Sequence, residues 1–324
     1  YSAAGAASTG VGAIYLAQGT SSLFVSGSNT TISGAVGGTS QLVNAVYLYG
    51  FAASAGGAFT IQGATTATIN GISNLATGLL GSGVSTYGTA VYLGGTTTLT
   101  NPNSGTTSGI NAVGNIWIAG TNIGGSVNTN NNAVLLNVGS ITSSTGSVTL
   151  IGVTAAPNAH GITIYGGSTI LAPDATNGNI TLNASASNGF GLWQNGSSTA
   201  SYVLLKAGKN IDVNVAQPTI TTVAGITYDI YSNYSLWIAG NNITVSASSQ
   251  NTNAAYFTGA AMNASGNITF QGATTATLSG QNGGLASTTI ANVAQPSLGT
   301  AVSSATGAYA VYLATPVTYT YNAV

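Results

Sequence analysis

The sequence predicts an all-β chain wound as a parallel β-helix, a β-solenoid with irregular coil lengths. Three observations carry that expectation. Charged side chains are nearly missing, short runs of Val, Ile, Thr and Tyr are punctuated by Gly, Asn and Ser, and several segments recur at irregular spacing.

The 324 residues include two Lys or Arg, three Asp or Glu and one His, a charged fraction far below the roughly 25% of ordinary soluble domains. Tyrosines aside, the ionisable side chains are His160, Asp174, Lys206, Lys209, Asp212 and Asp229, and there is no cysteine. A net charge of -1 gives no electrostatic attraction for nucleic acid or anionic membranes. No disulfide framework is available. Disorder is disfavoured by a 44% hydrophobic content and a mean hydropathy of +0.34, since disordered chains are poor in apolar residues.

A membrane helix needs about 18 consecutive apolar residues, and the nearest stretch, 45–61, is broken by Gly50, Ser54, Gly56 and Gly57. A porin-like barrel would also alternate, but it takes a polar lumen and long loops that the sequence does not suggest. The chain opens on Tyr1 without an initiator Met or a signal-peptide pattern, so a processed chain or a piece of a longer one is expected. Composition is uniform, which predicts one domain over residues 1–324.

Helix is disfavoured because Glu and Arg are absent and Lys is rare, while Gly, Thr, Ser, Asn and Val abound. Strands are expected at Leu23-Phe24-Val25, Val148-Thr149-Leu150-Ile151, Ile162-Thr163-Ile164-Tyr165 and Ile268-Thr269-Phe270.

Repeats choose among all-β folds. Gln62 to Thr68 recurs unchanged as Gln271 to Thr277, and Ile116-Trp117-Ile118-Ala119-Gly120 returns as Leu236-Trp237-Ile238-Ala239-Gly240. Asn214 to Pro218 reappears as Asn292 to Pro296. An Ala-aliphatic-Tyr-Leu theme stands at Ala13–Leu16, Ala45–Leu48, Ala90–Leu93 and Ala310–Leu313. Unequal spacings fit coils with inserted loops better than propeller blades. Stacked residues lie about 4.8 Å apart, so columns of charge are excluded while Asn, Ser, Thr and aliphatic columns are favoured. At roughly 20–30 residues per coil, about 11–16 coils are expected.

Ala207-Gly208-Lys209-Asn210-Ile211-Asp212-Val213 and Ala239-Gly240-Asn241-Asn242-Ile243-Thr244-Val245, with Ala119 to Ile123, resemble the recurring Ala-Gly-x-Asn-Ile-x-Val unit of filamentous-haemagglutinin-like adhesins. Gly178 to Leu182 and Gly266 to Phe270 resemble its companion Gly-Asn-Ile-Thr-Leu strand. The resemblance spans mainly residues 110–280. It implies a right-handed parallel β-helix on or released from a bacterial surface, acting in adhesion or biofilm. That family's secretion domain carries Asn-Pro-Asn signatures; Asn101-Pro102-Asn103 is isolated and reads as a turn.

The expected function is a non-enzymatic extracellular stalk or fibre segment, with self-association or surface glycans as partners. The alternative is a filament subunit stacked end to end, and a polysaccharide-active enzyme is the remote third. Hydrolytic β-helices pair carboxylates, whereas Asp174, Asp212 and Asp229 are scattered singly. Asp212 and Asp229 are expected on adjacent coils, as are Lys206 and Lys209, in one solvated patch. His160 is expected to be a structural loop residue. No catalytic, metal or cofactor site is predicted.

Eight Asn-x-Ser/Thr sequons begin at Asn29, Asn179, Asn183, Asn195, Asn233, Asn242, Asn263 and Asn267; Asn179, Asn242 and Asn267 fall inside the strand motif, where a structural role is expected. Thr96 to Thr100 suggests an ice-ordering face only if Thr-x-Thr recurs on successive coils, and such pairs are sporadic. The alternating run Val317 to Tyr321, within a terminal segment 316–324, is expected either to cap the last coil or to pair with a neighbouring subunit.

Overall fold

The computed structural model describes residues 11–16, 22–38, 43–49, 51–69, 72–74, 90–94, 98–101, 105–122, 132–137, 139–155, 159–186, 189–216, 221–223, 226–247, 253–271, 275–278, 283–285, 289–290, 311–314 and 318–319. Every regular element among them is a strand. Three stacks of parallel strands form the walls of a solenoid, none closed into a barrel. The chain is a parallel β-helix.

Each coil contributes one strand to each sheet in turn. Coil 1 runs Val11–Leu16, Ser22–Ser26, Thr30–Gly38, and coil 2 runs Val43–Tyr49, Phe51–Ala55, Phe59–Ile69. Coil 3 is Val91–Gly94, Ile110–Ala112, Ile116–Asn122; coil 4 is Val134–Asn137, Ser140–Ser143, Val148–Thr154. Coil 5 is Ile162–Tyr165, Thr169–Ala172, Ile180–Ala186; coil 6 is Leu192–Asn195, Val203–Ala207, Ile211–Ala216. Coil 7 is Ile226–Asn233, Ser235–Ala239, Ile243–Ala247; coil 8 is Asn253–Thr258, Ala261–Ala264, Ile268–Gln271. Val311–Ala314 opens a ninth.

Among the described residues eight full coils, at about 4.8 Å each, stack to roughly 40 Å, fewer than the 11 to 16 coils expected from a constant repeat. The difference lies in the excursions. Val134 pairs Ile162, 28 residues on, whereas Ala255 pairs Val311, 56 residues on. Extra chain leaves at the corners, partly as antiparallel hairpins: Ile72–Asn74 folds onto coil 2, Thr98–Asn101 pairs Gly105–Ser108, and Thr221–Val223 pairs the start of coil 7. Asn101 opposes Gly105 in that second hairpin; Pro102 and Asn103 lie outside the described residues.

The strands alternate because one face is core. Ile180–Ala186 and Val148–Thr154 both place every second residue inside. The third sheet stacks Phe59, Ile116, Val148, Ile180, Ile211, Ile243 and Ile268 in one column, all with no exposed surface. The first stacks Val46, Val91, Val134, Ile162, Leu192 and Ile230. Aliphatic columns of this kind place like on like and exclude charge. Where the third sheet turns to the next coil, a Cβ on Gly120 or Gly152 would collide with the carbonyl of Ala133 or Gly161; only glycine allows that close backbone approach.

The tyrosine theme is real in three dimensions. Tyr15 pairs Tyr47, Tyr47 pairs Tyr92, and Tyr256 pairs Tyr312 on the first sheet. The tryptophan repeat does not survive: Trp117 lies on the third sheet facing outward, while Trp237 lies on the second sheet fully buried. Likewise Ala119 to Asn122 belongs to a strand, whereas Ala207–Ile211 and Ala239–Ile243 form equivalent corners between the second and third sheets. Of the terminal segment, Thr318–Tyr319 pairs in parallel with Thr289–Ile290; residues 316, 317 and 320–324 lie outside the described residues.

Candidate functional surfaces

The corner before the third sheet explains the abundance of Asn. One position there is occupied, coil by coil, by Asn29, Ala58, Asn115, Ser147, Asn179, Asn210, Asn242 and Asn267. Each polar side chain from Asn29 to Asn242 reaches the next coil. Ala58 N donates to Asn29 Oδ1 (2.9 Å), Ser147 N to Asn115 Oδ1 (2.8 Å), Asn179 N to Ser147 Oγ (3.2 Å), Asn242 N to Asn210 Oδ1 (3.2 Å) and Asn267 N to Asn242 Oδ1 (2.8 Å). Asn210 Nδ2 donates to Asn179 Oδ1. The sequons at Asn29, Asn179 and Asn242 are therefore ladder positions whose amide oxygens are engaged.

Ala58 breaks this ladder, so Ala58→Asn is expected to supply an acceptor for the coil-3 corner and stabilise the chain by about 0.5–1 kcal/mol. A Tm unchanged or lowered in thermal denaturation would refute that role.

The ionisable residues do not assemble. Asp174 caps a turn, its Oδ1 accepting from Thr176 N (2.9 Å) and Asn177 N (2.6 Å). Lys206 and Lys209 lie on the same coil, one on the second sheet and one at the following corner, rather than on adjacent coils. Asp212 sits on the outer face of the third sheet; burial raises its carboxyl above the usual range and a hydrogen bond with Thr244 opposes the shift. Asp229 is on the next coil, as expected, yet wholly buried on the first sheet. The predicted solvated patch is thus spread over all three sheets and a corner. Among the described residues no three His, Cys, Asp or Glu side chains are grouped to hold a metal.

His160 is buried at the corner before coil 5. Its backbone N–H donates to Asn132 Oδ1 (3.1 Å), and its ring Nδ1 accepts from Phe190 N (2.9 Å). It occupies the same kind of ladder as the asparagines, one corner further on. Its ring stacks on Phe190 at 5.1 Å and meets Trp193 edge-on at 4.7 Å. Phe190 stacks on Tyr231, and Tyr231 on Tyr256, at 5.2 and 5.3 Å. These rings cover one another's faces, which makes the aromatic strip a stacking device rather than an open platform.

The outer face of the third sheet differs. One outward column reads Thr31, Thr60, Trp117, Thr149, Thr181, Asp212, Thr244 and Thr269, threonine in six of eight coils. Beside it run Ser33, Gln62, Ala119, Ile151, Asn183, Asn214, Ser246 and Gln271, in the same registers. Asn214 Nδ2 donates to Asn183 Oδ1 (3.0 Å) and Ser246 Oγ to Gln271 Oε1 (3.2 Å). The signal was available in Thr181, Thr244 and Thr269, each flanked by two buried apolar residues, but register was needed to align them. No coil carries Thr-x-Thr across the two columns, and Thr98–Asn101 lies off the solenoid in a hairpin.

At one end of this face opens a shallow groove of about 450 Å³, with Ile151, Val153 and Val215 as apolar lining and Asn183 and Asn214 as amide donors and acceptors. Val153 is 40% exposed.

Fold and surface together define a parallel β-solenoid whose third sheet presents outward columns rich in hydroxyls and amides, with one carboxyl, Asp212, among them. No family model matches the chain, and no curated protein or solved structure matches it either.

Proposed function

We propose that the chain is a non-enzymatic, extracellular structural and adhesive segment that holds neutral glycans along the outer face of its third sheet. The observation carrying this reading is the in-register hydroxyl and amide lattice beside the Ile151–Val215 groove. Neutral polysaccharide presents hydroxyls to such columns and a C–H face to an apolar floor. Small-molecule sites generally combine an apolar lining with a few oriented polar groups. The resemblance to filamentous-haemagglutinin-like adhesins agrees with surface attachment or biofilm, and the same low charge supports a second reading as a filament subunit.

Immobilised neutral polysaccharides should bind the purified chain reversibly and release no reducing ends. Asn183→Ala with Asn214→Ala should weaken that binding about tenfold, the equivalent of one to two net hydrogen bonds. Hydrolysis would replace the reading with an enzyme, and binding indifferent to both substitutions would remove the glycan face.

A further inference from the structure

The three tryptophans are held in different ways. Trp237 is closed in the core with its N–H on Gln194 Oε1. Trp193 packs against His160, Tyr165 and Phe190. Trp117 has neither kind of partner: among the described residues no ring stacks on it and its N–H meets no acceptor. It stands partly exposed in an outward column, between Thr60 and Thr149 of the coils on either side. Threonine suits that column, so packing within the chain does not call for an indole there.

Trp117 shares its face with the groove. Ala119, two residues further along the strand and also outward, pairs Ile151, which lines the groove. From Ile151 the lining passes in register through Asn183 and Asn214 to Ser246, one residue per coil. Val153 and Ala216 belong to the opposite side, with Ala184 and Val215 between the two. The groove is therefore bounded by columns, and columns run along the solenoid axis. An elongated ligand in it crosses the strands, and its continuation past Ile151 reaches coil 3 beside Trp117. From the level of Trp117 to that of Asn214 is three coil steps, about 14 Å.

We infer that Trp117 and the groove are two parts of one binding line for a flat, ribbon-forming β-linked glycan of the cello-oligosaccharide kind, laid along the solenoid axis. The inference rests on the glycan reading above and narrows it. In such a chain the pyranose rings are coplanar and the chain is straight. Its broad faces are C–H groups, which suit an indole plane and an apolar floor. Its hydroxyls line the edges, where Asn183 and Asn214 donate and accept. Asp212, in the outward column beside Asn214, accepts from hydroxyls and disfavours acidic sugars. An α-linked chain of the same sugar curls, so it leaves straight, in-register columns before it has crossed three coils.

Isothermal titration of the full chain separates these parts. Cellohexaose reaches from Trp117 to Asn214 and should bind about tenfold more tightly than cellobiose, which does not, and than maltohexaose, which curls. Trp117→Thr installs the residue of the neighbouring coils, so Tm and circular dichroism should be unchanged. It should weaken cellohexaose about five- to tenfold, the scale of one aromatic contact, while Trp117→Phe keeps most of the affinity. Cellohexaose should also shield a tryptophan from acrylamide quenching in the wild type, and that shielded fraction should vanish in Trp117→Thr. Equal affinity for maltohexaose overturns the inference. So does a Trp117→Thr variant that binds cellohexaose as the wild type does; if Asn183→Ala with Asn214→Ala is weakened at the same time, the glycan reading stands and only the narrower claim falls. Failure of cellohexaose and of every immobilised neutral polysaccharide to bind overturns both.

Discussion

Trp237→Ala is expected to cost about 3–5 kcal/mol, as large-to-small changes at fully buried aromatic positions do. Trp237 fills an inner column of the second sheet that is aliphatic from Ile110 to Leu205, between Leu205 and Met262 and in line with Ile141 and Ile170. Its ring packs edge-on against Phe257 at 5.6 Å, and Phe257 against Phe270 at 5.8 Å. The indole N–H donates to Gln194 Oε1 (3.0 Å), which also accepts from Ser232 Oγ (2.8 Å). Gln194 and Ser232 therefore occupy core positions that Leu48, Leu93, Leu136 and Ile164 fill in earlier coils. A buried indole N–H needs an acceptor, and the polar residues supply it.

Trp237→Phe should cost about 1–3 kcal/mol because Gln194 loses a donor, and adding Gln194→Leu should recover part of that loss, since removing both partners leaves less unsatisfied. Urea denaturation followed by the fluorescence of Trp117 and Trp193 measures all three. A double variant as unstable as the sum of the singles would show that the hydrogen bond does not hold Gln194 in the core.

Acidification should destabilise the chain through His160. Burial holds its pKa at about 4, below the usual 6.5, and Phe190 N donates to the nitrogen that a proton would occupy. The unfolded chain therefore takes up the proton first as pH falls. The stability attached to the neutral ring is fully present above about pH 6.5, declines towards pH 4 and is lost below it, a total of about 3 kcal/mol. Asp212 acts in the opposite direction, because its raised pKa means that protonation relieves a cost of burial. His160→Asn separates the two. Asn132 already performs this role one coil earlier, accepting from His160 N, so an asparagine at 160 has a precedent for accepting from Phe190 N without titrating. The variant should keep most of its stability near neutral pH and lose the decline between about pH 6.5 and 4. If its urea midpoint falls with pH as steeply as the wild type's, His160 is not the titrating group.

By itself the sequence determined the all-β class, the stacked coil and the inward aliphatic columns. Period-two alternation, scarce charge and recurrent Asn-Ile corners are local properties that survive whatever the neighbours do. The tyrosine theme at Ala13, Ala45, Ala90 and Ala310 even carried the correct register, as did the heptapeptide at Gln62 and Gln271. What it could not fix was which residue of a strand faces in, because two adjacent residues can share the interior where a corner begins. Leu192-Trp193-Gln194 shows the consequence. A local reading puts the tryptophan inside and the glutamine outside, whereas the structure does the reverse so that Gln194 can meet Trp237.

Only the tertiary structure separated Trp117 from Trp237, buried Asp229, and set the number of coils through excursions at the corners. It alone gave Gln62–Thr68 and Gln271–Thr277 different conformations, the first within the extended strand Phe59–Ile69 and the second doubled back, with Thr275–Leu278 antiparallel on Ile268–Gln271. The physical reason is common to all of these: a strand's identity is local, but its pairing is decided by what lies on its two edges.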